Sequence, residues 1–419
     1  MDALSAAAVL ITLTALFSWV NHRFIRQPPS IALLLFSLGL SLALVGLGVL
    51  GFDSLEQARQ AFAVVKLDRV FLDSMLSFLL FAGALHVDLG ELARRKGAIA
   101  FLASLGVVVS ALLAGCALWW IFRAVGHPVP LIWCLLFGAL ISPTDPIAVL
   151  AILKRAKVER SLAGKMAGES LLNDGFGVVL FVLFLGIATG GEQAGAAQAA
   201  TLFFREVIGG AALGVALGYL ACRMLAPVDS YQVEIFLTLA VVMGGSALAL
   251  GLHVSAPLAI VVAGVLIGHH SRRGDRPAQA RERLDEFWEL IDEILNALLF
   301  VMIGLELLRL DIDRTYAWAA ALAVPAVLIA RFASVAMARL FPGLRRDFPL
   351  YVVAAMTWGG LRGGISIALA LSLPPDSPRN ALIMVTYVVV LFSVLVQGLT
   401  LSRVLRRRPA LAAGGGKAR

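Results

Sequence analysis

Residues 131–153 read LIWCLLFGALISPTDPIAVLAIL, and the reading of this stretch decides the fold. It is apolar at both ends and, as a helix, long enough to cross the roughly 30 Å hydrocarbon core of a bilayer. Its middle, Ile141-Ser142-Pro143-Thr144-Asp145-Pro146, breaks the pattern. Each proline removes a backbone donor and disfavours helical conformation in the residue before it. A helix broken at mid-depth frees carbonyls and amides that lipid cannot satisfy, so such breaks occur only where they line a cavity or hold an ion. Asp145 would stand beside the N-terminus of the second half-helix, where negative charge is favoured. The bland alternative is a proline kink with a capping Asp and no ion contact.

The rest of the chain repeats the apolar theme. The 419 residues are 60% hydrophobic and 15% charged, with a mean hydropathy of +0.90. Soluble domains carry about 25% charged residues, so the length divides into membrane spans of roughly 20 residues rather than into soluble domains. Thirteen apolar segments follow: 3–20, 31–50, 70–87, 98–122, 131–153, 161–188, 200–225, 231–250, 254–268, 287–308, 315–340, 348–373 and 380–402. They are continuously apolar rather than alternating, which predicts an all-α integral membrane protein and excludes a membrane barrel. Residues 1–402 form a single transmembrane domain on this reading, and 403–419 a short, basic, disordered tail that touches anionic lipid headgroups.

The net charge of +8 sits in the gaps between segments. Alternate gaps hold clusters such as Arg94-Arg95-Lys96, Lys154-Arg155, Arg272-Arg273, Arg345-Arg346 and Arg406-Arg407-Arg408, whereas the intervening gaps hold isolated residues such as Arg59, Lys66 and Arg123. The positive-inside rule then places the C-terminus in the cytoplasm and the N-terminus outside, in a multi-pass protein of the cell membrane. The same distribution argues against nucleic acid as a partner. Asp2 stands where a cleavable signal would be basic, so residues 3–20 read as a first span. Cys116, Cys134 and Cys222 show no paired spacing and read as small buried side chains.

Charges in mid-membrane are expensive and mark function. In segment 6 the sequence is Gly168-Glu169-Ser170-Leu171-Leu172-Asn173-Asp174-Gly175. Ser170 stacks with Asp174 on one helical face, and Glu169 with Asn173 on the next. Hard oxygen ligands of this kind suit a small alkali cation. A carboxylate withdrawn from water also carries protons, because desolvation favours its neutral form. One carboxylate that holds a proton or a cation, but not both, is the minimum for exchanging the two. The bland alternative is a polar packing network.

Segment 12 contains Gly359-Gly360-Leu361-Arg362-Gly363-Gly364, a second interrupted helix around a lone Arg, and Arg331 lies in segment 11. Segments 5 and 12 occupy matching places in two halves. This predicts two inverted six-helix repeats, segments 1–6 and 8–13, with the substrate site where the broken helices cross. Segment 7 would be the connector, and its Gly210, Gly214 and Gly218 form a close-packing face. Asp285, Glu286, Glu289, Asp292 and Glu293 read as an acidic first turn of segment 10, or as a wall of a cation-gathering funnel. Asp73 and Glu234 lie near span ends, and His269 and His270 at the cytoplasmic end of segment 9. A cation channel and a membrane-embedded aspartyl hydrolase using Asp145 and Asp174 are the rival readings. Channels need a continuous, usually ring-lined pore, and Asn173 has no role in hydrolysis.

Thr144-Asp145-Pro146, the Gly168 to Asp174 motif with Asp145 29 residues before Asp174, Arg331 and Gly360-Leu361-Arg362-Gly363 together resemble the monovalent cation/proton antiporter family, in particular its NhaP-type bacterial members. The resemblance spans essentially all thirteen segments. It implies that Asp174 binds the ion and the proton, and that Asp145, Ser170 and Thr144 complete a Na⁺ shell. It implies that Asn173 is the neutral half of an Asn-Asp pair and that Glu169 pairs structurally with Arg331. It further implies a homodimer, an elevator-like movement of a six-helix bundle, and no cofactor beyond the transported ions. Some members carry an acidic residue in the Phe-Ala-Gly stretch where this sequence has Ala82. Na⁺, Li⁺ and K⁺ all take oxygen ligands, so the residue types leave the choice among them open.

Overall fold

A computed structural model describes residues 3–50, 69–85, 101–145, 160–189, 201, 204–273, 278–308 and 314–406. Among these residues the fold is helical, with no strand. The helices are α1 (Ala3–Val20), α2 (Pro29–Val49), α3 (Arg69–Leu85), α4 (Val107–Ala124), α5 (Leu131–Ile141) and α6 (Arg160–Thr189). They continue as α7 (Gly210–Leu225), α8 (Tyr231–Leu252), α9 (Ala256–Arg273), α10 (Ala278–Glu306) and α11 (Arg314–Met337). The series ends with α12 (Leu350–Trp358), α13 (Gly364–Leu371), α14 (Arg379–Phe392) and α15 (Gly398–Arg406). Among the described residues eight helices are long and apolar enough to cross a membrane, and Met75–Leu85, Leu131–Ile141 and Ala256–Arg272 are shorter apolar helices. Large apolar side chains such as Trp120, Phe236, Trp318 and Ile329 are exposed, as suits an exterior facing lipid, which is as apolar as Leu. Cys116 is exposed for the same reason, against the expectation of burial: an apolar run in a membrane protein can face outward.

Small residues let the helices around the centre touch backbone to backbone. A Cβ on Gly115 of α4 would lie 2.7 Å from the Leu135 Cα of α5. The expected glycine face of α7 packs on α9, where a Cβ on Gly214 would lie 2.5 Å from the Ala259 carbonyl oxygen. Hydroxyls bridge other pairs, with Ser41 of α2 donating to the Gly304 carbonyl of α10 at 2.8 Å. Trp288 of α10 is fully buried, packs on Phe81 with ring centroids 4.6 Å apart, and donates its indole N–H to Thr238 at 3.1 Å.

Several helix limits depart from the sequence expectation. α10 starts at Ala278, so Asp285 to Glu293 lie inside the helix and not in its first turn. Residues 278–284 (AQARERL) are strong helix formers and extend it backward. α15 runs to Arg406, past the expected end at 402, because nothing before Pro409 breaks it. Residues 407–419 lie outside the described residues, as do residues 146–159, which include Pro146 and the second half of segment 5, and residues 51–68, 86–100, 190–200, 202–203, 274–277 and 309–313.

Both breaks are present. α5 stops at Ile141 and the chain from Ser142 to Asp145 is non-helical. Segment 12 forms two helices, α12 and α13, separated by Gly359 to Gly363.

Candidate functional site

The two breaks cross and satisfy each other. The end of α5 leaves carbonyls without helical partners, at the negative pole of the helix dipole. Arg362 answers them: its NH1 donates to the Ser142 carbonyl at 2.5 Å and to the Pro143 carbonyl at 2.9 Å. The Asp145 N–H donates in return to the Leu361 carbonyl at 2.7 Å. Ser393 fixes the second break by accepting the Arg362 N–H at 2.8 Å. Gly363 passes so close that a Cβ there would lie 2.9 Å from the Asp145 side chain, so only glycine fits without displacing that carboxylate.

α6 runs beside the crossing and supplies three polar groups to it. Thr144 is the hub: its Oγ1 lies 2.7 Å from the Ser170 Oγ and accepts the Asn173 Nδ2 donor at 2.9 Å, while its N–H donates to the Asn173 Oδ1 at 3.2 Å. All three residues are buried. Asp174, 2% exposed, follows Asn173, and its Oδ1 has no hydrogen-bond partner among the described residues. A cavity opens at this point. Thr144, Asp145 and Asp174 line it together with Pro143, Gly363 and Ser366. Ser170 and Asn173 do not line it; they meet it through their bonds to Thr144.

Glu169 turns the other way. Both its carboxylate oxygens take hydrogen bonds from Arg331 of α11, at 2.5 Å from NH1 and 2.9 Å from NH2. Both residues are at most 5% exposed. Gly360 leaves room for this Arg, since a Cβ there would lie 2.9 Å from the Arg331 Nε. A bidentate pair of this geometry ties α6 to α11 beside the second break.

Two polar residues of the cavity wall were not singled out from the sequence. Ser366 follows the glycines of the second break, and its hydroxyl is easily passed over in an apolar helix. Asn296 interrupts the apolar run 294–305 of α10, a signal that was legible. Its Nδ2 donates to the Asp292 carboxylate at 3.2 Å and to the Asp292 carbonyl at 3.0 Å. The acidic face of α10 therefore connects to the cavity through Asp292. Among the described residues no group of three or more His, Cys, Asp or Glu is placed to hold a metal in the manner of a resident cofactor.

A helical membrane protein with a buried carboxylate beside two crossing interrupted helices has the architecture of ion-coupled secondary transporters. A family model described as "Sodium/hydrogen exchanger, transmembrane" matches residues 9–407, and the chain belongs to that family. The Na⁺/H⁺ antiporter NhaP of Pseudomonas aeruginosa is 47% identical over 409 residues, 96% of either chain. The Na⁺/H⁺ antiporter NhaH of Halobacillus aidingensis is 33% identical over 393 residues, 92% of this chain and 93% of the relative. The structure of the sodium proton antiporter MjNhaP1 from Methanocaldococcus jannaschii at pH 8 matches with a TM-score of 0.77 at 18% identity. That likeness, over 97% of this chain and 99% of the other, is one of fold. The protein is a NhaP-type transporter and not an enzyme, which removes the hydrolase reading.

Proposed function

We propose that the protein exchanges Na⁺ for H⁺ across the cell membrane, one for one, with Asp174 as the group that both ions share. The observation that carries this reading is the Asp174 carboxylate: buried, with one oxygen lacking a hydrogen-bond partner among the described residues, on a cavity lined also by Asp145 and Thr144. A carboxylate so placed is stable only when a proton or a cation neutralises it. The two occupants exclude each other, and their alternation is the exchange. Asp145 and Thr144 supply further hard oxygen ligands, Ser170 acts through the Thr144 hydroxyl, and Asn173 holds the turn in place. Li⁺ and K⁺ take the same ligand chemistry and are the competing substrates.

On this reading residues 1–402 form one transporter domain of thirteen spans in two inverted repeats, with the N-terminus outside and the C-terminus cytoplasmic. The domain works as a homodimer in which the bundle around the crossing slides between the two faces of the membrane. Glu169, Arg331 and Arg362 keep that bundle rigid, so the site moves as a unit. The basic end of the chain, Arg403 to Arg419, lies against anionic headgroups.

The test is dissipation of a pH gradient in inverted membrane vesicles, followed with a fluorescent weak base. Addition of Na⁺ or Li⁺ should collapse the gradient only in vesicles that contain the protein. A gradient indifferent to Na⁺, Li⁺ and K⁺ at every pH tried overturns the proposal.

A further inference from the structure

Ser366 stands in the first turn of α13, 1% exposed, on the wall of the cavity that Asp145 and Asp174 also line. Its hydroxyl oxygen has no hydrogen-bond partner among the described residues. Several other buried hydroxyls among the described residues are satisfied locally, by donating to a carbonyl one turn back in the chain. Thr14 donates to the Leu10 carbonyl at 2.8 Å, Ser142 to Gly138 at 2.7 Å and Thr386 to Leu382 at 2.7 Å. Ser366 has no such turn beneath it. Arg362 and Gly363, four and three residues before it, belong to the break, where Gly363 is extended with φ −109° and ψ −165°. The interruption of the helix therefore withholds from Ser366 the partner that an intact helix would provide.

We infer that Ser366 is an oxygen ligand of the transported cation, contributed by the second broken helix and acting directly or through one water of the ion. A hydroxyl turns freely and has two lone pairs to offer, and a buried hydroxyl without a partner is costly. The inference rests on the proposed exchange at Asp174 and adds a member to its ligand set. It also has a consequence for the competition between the two ions. A hydroxyl does not titrate in the physiological range, so Ser366 favours the cation-loaded site without favouring the protonated one, and its removal weakens cation binding selectively.

The experiment uses the full chain purified into proteoliposomes, with Na⁺ and Li⁺ titrated in turn. Ser366→Ala should raise the half-saturating Na⁺ concentration roughly tenfold, equivalent to about 1.4 kcal/mol. The maximal rate and the melting temperature in detergent should be unchanged, and so should the pH profile measured at matched saturation. Ser366→Thr and Ser366→Val form a nearly isosteric pair that settles the case should the Ala variant misfold. Both add bulk, and only Thr keeps the hydroxyl, so Thr should stay near wild type and Val should follow Ala. Three results overturn the inference: unchanged half-saturation for both cations in Ala and Val, Thr and Val affected alike, or a lowered maximal rate with half-saturation unmoved. Wild-type protein without exchange in the same liposomes sinks the Na⁺/H⁺ reading together with this inference, whereas an active wild type indistinguishable from Ser366→Ala sinks this inference alone.

Discussion

Asn173 holds Thr144 at two points, accepting the Thr144 N–H at 3.2 Å and donating to the Thr144 hydroxyl at 2.9 Å. An amide can do both at once; an ionised carboxylate in its place could only accept. Asn173 is therefore a brace for the non-helical turn that carries Asp145, and it adds no titrating group to the site.

Transport should then be electroneutral. Asp174 is left as the group of α6 that cycles, because Glu169 is engaged at both oxygens by Arg331. A site carrying one Na⁺ or one H⁺ has the same net charge, so the membrane potential does no net work over a cycle. A moved charge would instead gain about 2.3 kcal/mol per 100 mV. With the potential clamped by valinomycin and K⁺, after a control showing that K⁺ is not transported, the reversal point should follow the Na⁺ and H⁺ gradients alone. A reversal point that moves with the clamped voltage rules out one-for-one exchange.

Asp174→Asn should abolish exchange and leave the protein folded. The substitution is isosteric, so the cavity keeps its shape, but the counter-charge of the cation and the acceptor of the proton disappear together. Gradient dissipation and the melting temperature are the two readouts. Exchange near the wild-type rate in a normally folded variant would refute the assignment.

Glu169→Gln should lower stability rather than change selectivity. Removing one partner of a buried ion pair costs roughly 3–5 kcal/mol, because the remaining charge has no water to turn to. The Gln amide leaves Arg331 one neutral acceptor oxygen but no counter-charge, and its other contact is the long one to the Met356 carbonyl at 3.5 Å. The melting midpoint in detergent should fall markedly, and a variant that melts with the wild type contradicts a structural role for the pair.

Arg362 should resist replacement even by Lys. Its guanidinium bridges the Ser142 and Pro143 carbonyls, and its backbone N–H is held by Ser393. Lys keeps the charge but not the planar fork. Arg362→Lys should retain partial exchange, and Arg362→Ala should lose exchange and stability together, since each lost charge-assisted hydrogen bond is worth about 1.5–3 kcal/mol. Equal loss in the two variants would show that the fork geometry, and not the charge, is what the crossing needs.

Much of this site was legible in the chain itself. Lipid offers no partner for a free carbonyl or amide, so an apolar run of span length can only be a helix, and Pro143 or the glycines flanking Arg362 in its middle can only be a break. The same economy makes Asp145, Glu169, Asp174, Arg331 and Arg362 conspicuous, because a charge at that depth needs a reason. Helical spacing was less informative. It grouped Ser170 with Asp174 and Glu169 with Asn173, whereas in the folded protein Ser170 and Asn173 both serve Thr144, Asp174 lines the cavity and Glu169 leaves for Arg331. Spacing fixes the direction in which a side chain leaves its own helix and says nothing of what waits there. The partners come from 162 residues away for Glu169 and 220 for Ser142, and only packing brings them within reach. For the same reason Ser366 carried no mark in the sequence that a core hydroxyl would lack, and Asn296 showed only as a lone amide in an apolar run, with nothing to say that a cavity lay before it. A polar side chain becomes part of a site when its own helix fails to satisfy it and a cavity lies in front of it, and both conditions belong to the tertiary structure.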